Sequence, residues 1–190
     1  MPQTLDQPAV RRVVEAAARK GVTLDVTTFA ESTRTAADAA AAVGAELGQI
    51  VKSLVFVSIA EDGSLEPILC LTSGTNRVDL ARLAAVTGRA DVRRATAREA
   101  KELTGFSIGG IPPLGHGRPI RVIMDPDLGR YPEVWAAAGA DNAVFPVPPG
   151  TLRVLANATV APIAEAVAIR IAVRDVDELA GRAPAPSSGT

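Results

Sequence analysis

Two apolar runs in the middle of this 190-residue chain constrain its fold more than any other feature. Ile50 to Ile59 and Leu65 to Thr72 are rich in β-branched and large apolar residues, as buried strands are. Between them lies Glu61-Asp62-Gly63-Ser64, a string of turn formers. Runs this close together fold back on each other, so the segment predicts an antiparallel hairpin. A chain organised around such a hairpin forms a mixed or mostly antiparallel sheet wrapped by helices, an α+β fold, rather than a doubly wound parallel sheet.

The flanks alternate helix and strand. Pro8 suits a first helical position, Val10, Val13, Val14 and Ala17 recur at helical spacing, and Gly21 suits the exit, so residues 8–20 read as a helix. Val22 to Phe29 alternates loosely and reads as a strand. Thr35 and Asp38 make a capping-box start for an alanine helix ending near Gly44. Beyond the hairpin, Val78 to Val86 reads as a helix closed by Gly88, and Ala90 to Ala95 as a short strand. Thr96 and Glu99 form a second capping box, for a helix stopping at Gly105. Pro119 to Met124 reads as a strand, Leu128 to Ala138 as a helix capped by Gly139, Asn142 to Val147 as a strand, and Pro148 to Ala156 as a short helix. Val167 to Val173 suits a strand or part of a helix, and the closing APAPSSGT reads as a flexible tail. No repeat or linker divides the chain, so residues 1–180 read as one domain and 181–190 as the tail.

Composition narrows the function. Net charge is −1, so nucleic acid would need a local basic patch. Seven basic residues between Arg77 and Lys101 face only Asp79, Asp91 and Glu99, which marks such a patch around Arg77, Arg93 and Arg94. Aromatics are only 3%, too few for a surface that stacks many bases. One cysteine and one histidine leave no ligand set for a zinc site, and no metal or cofactor is expected. There is no GxGxxG after a strand and no Walker A loop. No run reaches the roughly 20 apolar residues of a membrane helix, and the first 20 residues lack an apolar signal core, so a cytoplasmic protein is expected.

Three places carry candidate chemistry. Gly105-Phe-Ser-Ile-Gly-Gly-Ile-Pro-Pro-Leu-Gly-His-Gly117 fits no regular element; such a stiffened loop of bare N–H groups suits an oxyanion or carboxylate cradle, or a plain crossover. Lys52 interrupts an apolar strand, so it faces either a cleft or solvent at the strand's start. His116, the lone histidine, reads as an acid, a base, a hydrogen-bonding wall or a structural residue. Cys70 has the surroundings of a small buried hydrophobe, and Thr72 to Asn76 reads as a turn and helix cap.

The order QIVKSLVF, LCLTSGTNRVDLARLA, GFSIGGIPPLGH, then strand and helix, resembles the YbaK/EbsC family over roughly residues 8–165. That family includes ProX-type proteins and the editing insertion of bacterial prolyl-tRNA synthetases. The resemblance implies a mostly antiparallel, barrel-like sheet surrounded by helices. It implies hydrolysis of mischarged tRNA, such as alanyl- or cysteinyl-tRNA(Pro), at the acceptor end, with a synthetase as a further partner. The family lysine falls on Lys52, and the Gly-rich loop on Gly109, Gly110 and Pro113, so Lys52, Gly109 and Gly110 are the expected catalytic set. Substrate contacts are expected from Phe29, Ser73, Gly74 and Asn76, and from Phe106, Ser107, Pro113, Gly115 and His116 along the loop. Residues after Glu165 match nothing associated with the family, and Pro112 stands where relatives often carry a small polar residue. A binding module that holds the same ligand without turning it over is the alternative.

Overall fold

The computed structural model describes residues 7–33 and 35–166. Chain order is α1 (Pro8–Ala18), β1 (Thr27–Thr28), α2 (Ala36–Val43), β2 (Val51–Ile59), β3 (Leu65–Ser73), α3 (Leu80–Thr87), β4 (Arg93–Arg94), α4 (Ala97–Thr104), β5 (Arg121–Met124), β6 (Val134–Ala137), β7 (Ala143–Val147), α5 (Pro149–Ala156) and β8 (Thr159–Val160). The segment Val167 to Val173 and the tail at 181–190 lie outside the described residues.

The hairpin forms as its composition requires. β2 and β3 pair antiparallel from Val51↔Ser73 to Ile59↔Leu65. Gly63 closes the turn at φ +79°, and Asp62 Oδ1 accepts from Ser64 N–H at 2.9 Å. β5 then adds parallel to β3 and β8 parallel to β5, while β4 pairs antiparallel with β2. The resulting order is β4-β2-β3-β5-β8. A second, antiparallel sheet has the order β1-β7-β6. A single parallel bridge, Ile50 to Trp135, joins the two.

The sheet is mixed and mostly antiparallel, but neither sheet closes, which corrects the barrel-like expectation. The reason lies on the outer side of β2. Only Phe56 and Val57 are paired there, with Arg94 and Arg93, and β6 approaches the rest of that edge without forming a ladder with it. Closure needs every strand paired on both sides.

Helices cover both faces of the larger sheet. Val51, Val55, Leu69 and Leu71 face a core shared with Val10, Val13, Phe145 and Leu152. Phe56, Ile68, Cys70 and Ile123 face a second core under Leu83 of α3. Burial on both faces explains why β3 reads as a continuous apolar run. It also pushes the Cys70 thiol up to about 12, leaving it protonated and inert. Both capping boxes form, at Thr35/Asp38 and Thr96/Glu99, and Gly44, Gly88 and Gly105 end their helices.

Two expectations fail for identifiable reasons. Leu128 to Ala138 is not a helix; a 3-10 turn, Pro126–Arg130, gives way to β6. Pro132 removes an N–H and drives Tyr131 extended, to φ −106° and ψ 144°, so a helix cannot pass. Val22 to Phe29 pairs only at Thr27 and Thr28, against Val144 and Ala143. Val22, Leu24 and Val26 pack on the main core without a ladder partner. Among the described residues no helix is long and apolar enough to cross a membrane.

The Gly-rich loop is irregular yet firmly held by α1. The Arg12 guanidinium lies 3.9 Å from the centre of the Phe106 ring and donates to the Gly105 carbonyl at 3.1 Å. Phe106 also meets the edge of His116, whose Nε2–H donates to the Pro112 carbonyl at 3.0 Å. Burial pulls the His116 pKa down to about 4, the Arg12 charge adds to that, and the Pro112 bond opposes it. His116 is therefore neutral in the fold at pH 7. In the unfolded chain an imidazole takes up its proton near pH 6.5. Stability is thus whole above that pH and falls as pH drops from 6.5 toward 4, by up to about 3 kcal/mol. Urea melts of wild type and His116→Gln at several pH values test this. The wild type is expected to lose stability between pH 6.5 and 5, and the variant to lose much less.

Candidate active site

The open stretch of the β2 edge forms one wall of a cleft of about 240 Å³. Residues Ile50 to Val55 line it on one side. Ala36, Ala39 and Val43 of α2, Trp135, and Ile108, Gly109 and Ile111 of the loop complete it. The capping box at Thr35 sets where α2 begins, and the Ile50–Trp135 bridge sets where β6 approaches.

A second hollow adjoins the cleft and is basic. Lys52, Arg77 and Arg94 line it with Asn76, Leu80 and Glu165. Lys52, Leu54 and Arg94 line both spaces. Lys52 lies on the Leu54–Phe56 face of β2, half-buried, and its Nζ donates to the Asn76 carbonyl. Burial first, then the Arg77 and Arg94 charges, lower its pKa from the ordinary lysine value. Arg94 lies 5.6 Å from the centre of the Phe56 ring.

Most of the basic run is neutralised locally. Arg82 pairs with Asp79, Arg89 with Glu66, and Arg98 with Glu102. Arg93 makes two bonds to Glu99, at 2.9 and 2.8 Å, and so faces away from the hollow. Of the three arginines singled out in the sequence, Arg77 and Arg94 reach the hollow and Arg93 does not.

The expected site residues fall in different places. Lys52 and Gly109 line the cleft. Ser73, Gly74 and Asn76 form the turn behind Lys52. Ser73 Oγ donates to the Gly48 carbonyl at 2.8 Å, a side chain on Gly74 would strike the Leu47 carbonyl, and Asn76 Nδ2 donates to Asp127 at 2.8 Å. Phe106 and Pro113 are buried beneath the loop, Gly115 packs against Val13, and His116 is locked as described, so these hold the loop in place. Phe29 exchanges two 2.9 Å bonds with Asn142 and does not line the cleft.

Within the loop the two central glycines differ. Gly110 N–H donates to the Ser107 carbonyl at 3.1 Å, closing a turn in which Gly109 takes φ +95°. The Gly110 donor expected for an oxyanion is therefore already engaged. A Cβ there would lie 2.7 Å from the Ala140 carbonyl carbon, so this glycine is required by backbone packing. Gly110, Ser107 and Phe106 line a separate hollow beyond the loop, with Ala140 and Asp141. Gly109 N–H, like those of Ile108 and Ile111, has no partner among the described residues, and all three residues line the cleft.

Reading the sequence missed the opposite wall and, on β2 itself, Ser53. Ala36, Ala39, Val43, Trp135 and Ser53 all line the cleft. The α2 alanines and Trp135 carry no local chemical signal. Ser53 carries one, being the second polar residue in an apolar strand.

The comparisons with known proteins agree with this geometry. The family model of the aminoacyl-tRNA editing domain matches residues 30–155. A solved candidate trans-editing enzyme for prolyl tRNA synthetase superposes with a TM-score of 0.77 at 48% identity, covering 84% of this chain and 99% of that one. EbsC of Enterococcus faecalis, a candidate Cys-tRNA(Pro)/Cys-tRNA(Cys) deacylase, is 24% identical over 135 residues, 71% of this chain and 80% of EbsC. The Ser/Thr-tRNA deacylase ProXp-y of Escherichia coli is 32% identical over 97 residues, 50% of this chain and 58% of ProXp-y. Against two proline–tRNA ligases the match spans only 16% and 19% of the ligase. The chain belongs to the aminoacyl-tRNA editing domain family, the YbaK/EbsC family that its lysine strand and Gly-rich loop resemble.

Proposed function

We propose that this protein deacylates mischarged tRNA in trans, as a cytoplasmic hydrolase acting on the acceptor end. One observation carries the reading: the apolar cleft and the basic hollow meet at Lys52 and Arg94, which line both. An aminoacylated tRNA end has the same layout, a small amino acid esterified to a ribose that is followed by a phosphate. The cleft takes the aminoacyl group, and Lys52, Arg77 and Arg94 take the terminal phosphate as fixed positive charges. The names of EbsC and ProXp-y support a deacylase, and the small cleft supports a small amino acid such as alanine or cysteine. A synthetase supplies the mischarged tRNA.

The chemistry follows from what the cleft contains. The ester is already activated. A water oxygen attacks its carbonyl carbon, the bond to the ribose oxygen breaks, and that oxygen leaves with a proton as a hydroxyl. Gly109 N–H donates to the developing oxyanion; a single such donor is worth about 3 kcal/mol in other hydrolases. Among the described residues no carboxylate or imidazole lines the cleft. A ribose hydroxyl of the substrate therefore positions the water, and His116 acts only by holding the loop.

Separately mischarged tRNAs incubated with purified protein test the reading. Release of free amino acid from at least one is expected. Folded protein that releases none is a binding module instead. Lys52→Ala is expected to keep its melting temperature within a few degrees and to lose at least tenfold in single-turnover rate. An unchanged rate would remove Lys52 from the site.

Binding of tRNA should separate the arginines. Arg77→Gln and Arg94→Gln are each expected to weaken affinity and to reduce the slope of log K against log salt by about 1. Arg93→Gln, whose charge is spent on Glu99, is expected to change affinity less than about twofold. Equal effects from all three would show that a broad basic face holds the tRNA, not the hollow.

A further inference from the structure

The Lys52 ammonium stands where its surroundings do not favour it. It is half-buried, and Arg77 and Arg94 line the same hollow and repel it. Among the described residues no carboxylate forms an ion pair with it. Its hydrogen bond goes to the main-chain carbonyl of Asn76. A lysine side chain has many rotamers, and a single neutral acceptor selects one of them only if that acceptor is itself fixed.

Asn76 is fixed by three bonds. Its N–H donates to the Ser73 carbonyl at 2.9 Å, and its Oδ1 accepts from Thr75 Oγ1 at 3.2 Å. Both partners belong to the turn itself. The third bond leaves the turn: Asn76 Nδ2 donates to Asp127 Oδ2 at 2.8 Å. Asp127 is held in its own place. Its N–H donates to Asp125 Oδ1 at 3.0 Å, and Arg130 pairs with its other oxygen at 2.8 Å. Asp125 is buried, and its Oδ2 accepts from the N–H groups of Ile163 and Ala164 at 3.1 and 2.9 Å. The Asp127 carboxylate thus ties the turn that carries the lysine's acceptor to the end of β5 and the strap after α5.

We propose that Asp127 is a positioning residue of the deacylase site: through the Asn76 side chain it fixes the carbonyl that orients the Lys52 ammonium toward the incoming phosphate. This rests on the deacylase reading above. Asp127 lines neither the cleft nor the basic hollow, so it acts on the substrate only through Asn76 and Lys52. A bond to a carboxylate is stronger than one between neutral groups, which suits it to anchor a turn. The Asp127 side chain is partly exposed and that of Arg130 mostly so, and neither the core nor a buried ion pair depends on them. Asn76, expected from the sequence to touch substrate, is the link between the carboxylate and the lysine.

Single-turnover deacylation of the ester that wild type cleaves fastest tests the proposal, with Lys52 present and in the Lys52→Ala background. Asp127→Ala is expected to lower the rate about fivefold where Lys52 is present and by less than about twofold where it is absent, because residues acting through one another are not additive. Asp127→Asn keeps an oxygen acceptor for Asn76 Nδ2 and is expected to recover most of the rate. Asn76→Ala keeps the main-chain carbonyl but loses the tie. It is expected to match Asp127→Ala, with the double variant no slower than either. Asp127→Ala at the wild-type rate overturns the proposal. So does an equal loss in both backgrounds, which marks a purely structural role, or an Asp127→Asn rate as low as that of Asp127→Ala, which marks a role of the charge. Should Asp127→Ala fail to melt cooperatively, Asn76→Ala decides alone: a loss that disappears without Lys52 supports the proposal, and an additive loss overturns it. These outcomes leave the deacylase reading intact. Wild type that melts cooperatively yet cleaves no ester overturns that reading and this one together.

Discussion

The antiparallel ladder between Val51–Ile59 and Leu65–Ser73 is the constraint on which the remaining structure depends. Nine consecutive pairs leave β2 no freedom of register, because a slip by one residue would exchange its two faces. Val51, Val55 and Val57 would leave the main core, and Phe56 would leave the second. With the register set, Lys52 and Ser53 necessarily face opposite ways from adjacent positions. One strand therefore serves two neighbouring spaces of different character, an apolar cleft and a basic hollow. The cleft exists because the ladder is one-sided over this stretch: β3 satisfies one edge of β2, and nothing regular satisfies the other.

Electrostatics acts locally in this protein. A net charge of −1 gives no long-range attraction for a polyanion. The ion pairs of Arg82, Arg89, Arg93 and Arg98 silence most of the basic segment. Arg77 and Arg94 of that segment join Lys52 in a compact group of three cations, of which Lys52 is half-buried and tied to a main-chain carbonyl. Half-burying the Lys52 ammonium and, second to that, holding Arg77 and Arg94 beside it cost energy, seen in its lowered pKa, and an incoming anion offsets that cost. The Asn76 carbonyl fixes the ammonium beforehand, so little side-chain entropy is left to lose on binding.

Features encoded by contiguous residues were legible in the sequence. The hairpin, both capping boxes, the glycine exits and the irregular loop each depend on neighbours within a few positions. The misread stretch at Leu128 to Ala138 shows how periodicity misleads. Alanines suited a helix, and Pro132 overruled them. The two-sheet division was not legible, because it turns on the absence of a ladder along that edge of β2. Lys52 and Gly109 were legible as chemistry out of place. Gly110 shows the limit of that logic: a bare glycine beside a candidate cradle proves to be filled by the backbone of Ala140, far along the chain. Trp135 and the α2 alanines entered the site through tertiary packing alone, and no residue type announces that.

The residues that secure the site extend beyond the span that the family model matches. The family match begins at residue 30 and ends at 155. Arg12, which grips the loop at Gly105 and Phe106, precedes that span, as do the wholly buried Val10 and Val13. Ile163, wholly buried in the second core, follows it, and its N–H is accepted by the Asp125 carboxylate at 3.1 Å. The inherited sequence signature and the physical unit are thus different objects. Helix α1 and the strap after α5 buttress that span from outside it. How tightly the loop with its glycines is held thus depends on residues outside the matched span.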